Sequence, residues 1–132
     1  MNPNRTIVLS LALATSSTAI AHHSFAMFNM KREVALKGVV KEVQWESPHV
    51  WIQLLVPAAN GSTQEWGIET MGPGVLFGNL HWPRDALKKG DKIVAYIHPL
   101  WSGKNGGSLM YFDGSKGRYY GLPTSDPNVN PK

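Results

Sequence analysis

His22 and His23 stand side by side at the point where a secretory signal would be cut. Cutting there turns the first of them into a chelating group. A mature chain that starts at His22 carries its free α-amino group, with an ordinary pKa of ~7.7–8.0, next to its own imidazole. Those two nitrogens can grip one metal ion, and His23 adds a second imidazole. Nitrogen-rich sites favour Cu(II) among the first-row divalent ions, with Ni(II) and Zn(II) behind. Met27 and Met30 follow closely in the sequence, and thioethers are soft ligands suited to Cu(I). The stretch 22–30 therefore has a composition for copper in either oxidation state, with zinc as the alternative. The plainer reading is that the histidines are simply solvated and that Phe25, Met27 and Phe28 form an apolar anchor that docks the arm.

The cut is expected after Ala21. Arg5 gives a positive start, Ile7 to Ala14 form an apolar run broken only by Ser10, and Ala19-Ile20-Ala21 places small side chains where a signal peptidase reads them. That run is too short to cross a hydrocarbon layer of ~30 Å as a helix, and no second long apolar stretch follows. The expectation is a periplasmic or secreted protein with no membrane insertion after cleavage. Its parts would be a signal over 1–21, an N-terminal arm over 22–34, a β-barrel over 35–122 and a polar, proline-rich tail over 123–132. Of the chain's 132 residues, 132 − 21 = 111 would remain, enough for one modest core. With Arg5 gone, the formal charge is 12 − 9 = +3, the lysines are scattered, and nothing calls for nucleic acid. There is no cysteine, so packing or a bound ligand must supply the stability that disulfides give other small exported domains.

A floppy arm binds a metal weakly unless the fold adds ligands, so the elements that position His49 and His98 matter. Apolar runs are short and turn signals dense, which favours strands. Leu36 to Trp45 makes a first strand. His49 to Val56 makes a second, with Val50, Ile52, Leu54 and Val56 on one face and His49, Trp51 and Gln53 on the other. Asn60-Gly61 marks a hairpin turn into a third strand over 65–69. Val75 to Leu80 is the one helical segment. Ile93 to His98 forms a fourth strand, with Ile93, Ala95 and Ile97 opposed to Val94, Tyr96 and His98. A glycine-rich loop over 102–107 leads to a fifth strand, Leu109 to Phe112, with 117–121 extending it or pairing with it. An all-β, small five-stranded OB-like barrel, with one short helical segment between strands 3 and 4, has this element order. A six-stranded sandwich is the competing architecture.

In such a barrel the end of strand 4 lies near the start of strand 1, where the arm enters, so His98 is the first candidate to join His22 and His23. His49 is expected toward the other end and ranks second; otherwise it is a strand-entry histidine bonded to a loop carbonyl. His81 reads as a surface residue at the helix end. Most of the five tryptophans should fill the core. Trp51 is the exception: with Gln53 it offers a face for a glycan, a small molecule or an envelope protein, which is the rival, metal-free reading. No catalysis is expected, because the chain has no cysteine nucleophile, no nucleophile elbow, no zinc helix and no phosphate loop. Glu65 and Glu69 share a strand face but lie ~13 Å apart, too far for a carboxylate pair.

The motifs His22-His23-Ser24-Phe25, Ser47-Pro48-His49-Val50-Trp51, Leu87-Lys88-Lys89-Gly90-Asp91 and His98-Pro99-Leu100 together resemble a family of small exported proteobacterial proteins catalogued as a domain of unknown function. The resemblance covers nearly the whole mature chain and implies an exported β-domain without assigning it an activity. Two positions depart from the family pattern. Asn29 stands where an aspartate is expected, and His81 where glycine is more usual.

Overall fold

The computed structural model describes residues 25–122. A short 3-10 turn over Phe25–Met27 precedes six strands: β1 (Val34–Gln44), β2 (His49–Pro57), β3 (Thr63–Met71), β4 (Lys92–Pro99), β5 (Gly106–Gly114) and β6 (Gly117–Tyr120). The single helix, α1 (Pro73–Gly78), lies between β3 and β4. Antiparallel pairs join β3 to β2, β2 to β1, β1 to β4 and β4 to β5, and a parallel pair between β3 and β5 closes the circle. The result is the expected five-stranded OB-like barrel. β6 is a further strand, hairpinned onto β5 outside the closed ring.

β1 makes closure possible by serving two neighbours. Its first half, from Val34 to Val39, pairs with β4, and from Val39 onward it pairs with β2. A bulge between Val40 and Glu42 bends it between the two. The period-two pattern of the sequence sets which faces turn inward. Val50, Ile52 and Leu54 of β2 and Ile93, Ala95 and Ile97 of β4 are buried, together with Ile68, Leu109 and Phe112. The intervening residues of β2 and β4 are only half-buried or exposed. Full burial of a large aliphatic side chain is worth about 1.5–3 kcal/mol, and these strands supply most of the core that a cysteine-free domain needs.

Two expectations are corrected. The glycine-rich segment is not loop throughout, because Gly106 and Gly107 are the first residues of β5 and form the parallel ladder with β3. A Cβ on Gly107 would come within 2.5 Å of the His98 carbonyl oxygen, so glycine is there for close strand approach. The tryptophans are also less central than composition suggests. Trp82 is buried and Trp66 packs partly against the core, but Trp45 and Trp101 are exposed, Trp101 by 64%. Trp45 lies after β1 and stacks on Phe77 at the barrel end, and Trp101 sits in the turn after β4.

His81 lies on the surface as expected and has φ of 54°, the left-handed region that costs a residue with a Cβ about 1–2 kcal/mol. Glycine, with no Cβ, is the residue this backbone conformation suits. His81→Gly should therefore stabilise the protein by about 0.5–1 kcal/mol after the entropy of the freer unfolded chain is set against the relief of strain. A rise in the urea midpoint at unchanged slope is the expected reading, and a fall would contradict it.

Candidate functional site

The arm and the barrel meet at the ends of β4 and β5. Phe28 is buried and forms an isolated antiparallel bridge with Leu100. Asn29 N–H donates to Pro99 O at 2.8 Å and Trp101 N–H donates to Met27 O at 3.0 Å. Phe28 is thus the anchor. Phe25 and Met27, expected to share that role, are both about half exposed.

Beside this seam lies a small cleft of about 110 Å³, walled by Phe25 and Phe28 of the arm, by His49, Glu69 and Ser108 of three strands, and by Leu122. Its polar centre is an ion pair, with His49 Nδ1 2.5 Å from Glu69 Oε1. The Glu69 side chain is only 8% exposed and that of His49 25%. A carboxylate so far from water is tolerable only with a close partner. The carboxylate accepts, so Nδ1 carries a hydrogen, the arrangement by which a carboxylate orients a histidine ring.

The register places Glu69 within a row. Trp51 of β2 pairs with Glu69 of β3, Glu69 with Ser108 of β5, and Ser108 with His98 of β4. Neighbouring strands are ~4.8 Å apart, so Glu69 and His98 are separated by two strand spacings. The expectation that His49 lies toward the other end of the barrel from His98 is thereby corrected, because the β3–β5 ladder brings their strands together. His98 nevertheless does not line the cleft. Its Nδ1 donates to Arg32 O at 2.9 Å, which holds the ring on the segment that leads into β1.

Trp51 and Gln53 stand half-buried on the outward face of β2, opposite Glu69 and Gly67. Gln53 Oε1 is 3.6 Å from where a Cβ on Gly67 would be, so its amide lies over the bare backbone of β3. Neither residue lines the His49–Glu69 cleft. Glu65 and Glu69, on one strand face, go to different partners, Glu65 to Lys41 at 2.8 Å and Glu69 to His49. Among the described residues no three histidine or acidic side chains gather closely enough to hold a metal ion by themselves. His22 and His23 lie outside the described residues.

Sequence reasoning missed Glu69 as a member of the site. Its burial depends on β5 running alongside β3 and on the arm crossing nearby, neither of which strand periodicity reports. The available signal was an acidic residue between Ile68 and Thr70, near the end of the strand and beyond its exposed polar start.

Fold and cleft together define a closed OB-type barrel with a histidine–carboxylate pair where the N-terminal arm docks. The chain belongs to a family of unknown function, DUF6152, whose model matches residues 10–109 and so spans His49, Glu69, His98 and Ser108. No curated protein and no solved structure matches the chain.

Proposed function

We propose that this protein is exported and binds a transition metal, copper before zinc, at a site that its processed N-terminus completes on the barrel. The observation that carries the reading is the His49–Glu69 pair, its carboxylate buried, in a cleft whose wall includes Phe25, two residues after His23. The arm is tied down at Met27 to Asn29, and Phe25 walls the cleft that holds His49. In this reading the amino group and imidazole of His22 chelate the ion, His23 and His49 add imidazoles, and Glu69 orients His49. Met27 remains a candidate soft ligand for Cu(I). His98, two strand spacings from Glu69, takes part if the bound arm reaches toward Arg32. The features of residues 1–21 support export to the periplasm or beyond, and no described helix is long and apolar enough to cross a membrane.

The metal-free alternative, a module for an envelope glycan, small molecule or partner protein, has one observation in its favour. Gly67 leaves Gln53 and Trp51 as the side chains standing above the middle of the β2–β3 ladder, a platform on which a flat ligand could stack. The two readings separate in one comparison. The processed protein should bind one Cu(II) per chain at least ~10-fold more tightly than a synthetic peptide of residues 22–30, and should prefer Cu(II) to Zn(II) in competition. Equal affinity of protein and peptide would mean that the barrel contributes no ligand, and the Trp51 face would become the better candidate.

A further inference from the structure

At the far end of β4 from the cleft, six residues or ~20 Å back along the strand from Pro99 to Ile93, the outer surface opens into an apolar groove of about 760 Å³. Its origin is the double pairing of β1. At Val39 the strand changes partner from β4 to β2, pairing with Lys92 on one side and Leu55 on the other, and the two neighbours diverge. Val39, Leu55 and Ile93 line the resulting trough. Its volume is within the roughly 300–1,000 Å³ of sites that hold small organic ligands.

Charge at the rim indicates what kind of ligand. Lys37 and Lys92 both line the groove and are both exposed, and neither forms an ion pair among the described residues. Lys37 pairs with Val94 and Val39 with Lys92, so the two lysines are diagonal neighbours on one face, ~7–8 Å apart. The only acid in the lining, Asp113, is already engaged: Arg118 donates to it through Nε at 2.7 Å and Nη2 at 2.9 Å. That hydrogen bond holds its carboxyl below the ordinary range. Two like charges beside an apolar trough, with no counter-ion of their own, suit an anionic head on a hydrocarbon chain.

We propose that this groove binds a free fatty acid, its chain along Val39, Leu55 and Ile93 and its carboxylate between Lys37 and Lys92. The site is separate from the His49–Glu69 cleft and independent of metal.

The test is calorimetric titration of the mature protein with octanoate, decanoate and dodecanoate, each kept below its micelle concentration. One site per chain is expected, with affinity rising roughly two- to fourfold per added methylene. Dodecyltrimethylammonium should bind at least ~10-fold more weakly than dodecanoate, and Lys37→Glu with Lys92→Glu should erase that preference. Val39→Asp, at an exposed position, should abolish binding while the circular dichroism and melting curve stay those of the parent. Extending the N-terminus should change nothing. Absence of saturable binding by any of the three acids overturns the proposal. So does equal affinity for the cationic amphiphile, association seen only with phosphatidylglycerol vesicles, or a groove found closed by a second copy of the chain in a sedimentation measurement.

Discussion

His49→Ala should destabilise the protein by about 2–4 kcal/mol, whereas Glu69→Ala should cost less than about 1 kcal/mol, although each removes the same ion pair. The asymmetry follows from burial. Glu69 is the more deeply enclosed partner, and without His49 its carboxylate is left in a site that water barely reaches. His49, a quarter exposed, keeps its access to water when Glu69 is gone. The double replacement should recover much of the loss suffered by His49→Ala, giving a coupling of 1–3 kcal/mol in a cycle of urea unfolding measurements, in the range of about 0.5–3 expected for residues in contact. Copper affinity should fall in both single variants. Losing a histidine's orienting partner typically costs ~10- to 100-fold in metal binding, and losing the histidine itself should cost at least as much. Equal stability losses with no coupling would show that the pair is not buried as described.

The second large effect is expected at Trp82, which lies in the segment between α1 and β4. It is 3% exposed, meets Phe112 edge-on at 5.3 Å and Tyr119 at 5.9 Å, and donates its Nε1–H to Tyr120 O at 2.9 Å. It thereby ties the link before β4 to β5 in the barrel wall and to β6 outside it. Trp82→Ala should cost about 3–5 kcal/mol, as large aromatic deletions in cores do. Trp82→Phe keeps most of the volume but leaves the Tyr120 carbonyl without its donor and should cost about 1–2 kcal/mol. Denaturant unfolding followed by far-ultraviolet circular dichroism measures both. A loss below about 1.5 kcal/mol for the alanine variant would mean that the barrel end closes without the indole.

Much of this fold is readable in the sequence because a strand with one face in a core announces itself with period two. His49 to Val56 and Ile93 to His98 show it directly, and their buried residues are the expected ones. Asn60-Gly61 likewise announces its turn: Gly61 takes φ of 81° and Asn60 Oδ1 accepts from Ser62 N–H. Gly106 and Gly107 were unreadable for the opposite reason. A glycine selected for close backbone approach and one selected for freedom look the same in a sequence, and only the neighbouring His98 carbonyl tells them apart. The site was half readable. Histidine chemistry singled out His49, but its partner Glu69 comes from the next strand and its cleft from a parallel ladder between β3 and β5, contacts distant in sequence that no local pattern carries. The tryptophans misled because indole counts predict apolar area without saying where it is placed. Trp45 does its packing at the rim, against Phe77 and the edge of Trp82.

In the proposed role the protein's own processed N-terminus completes the metal site. The most direct measurement is a Cu(II) titration of protein exported with its own signal, its first residue fixed as His22 by intact mass, beside the same protein with its α-amino group acetylated. Acetylation leaves every imidazole in place but takes the α-amino nitrogen out of the six-membered chelate it would form with the His22 ring. Tight one-to-one binding is expected of the processed protein, with a loss of at least ~10-fold in the acetylated one. Identical binding by the two, or weak binding by both, would contradict it.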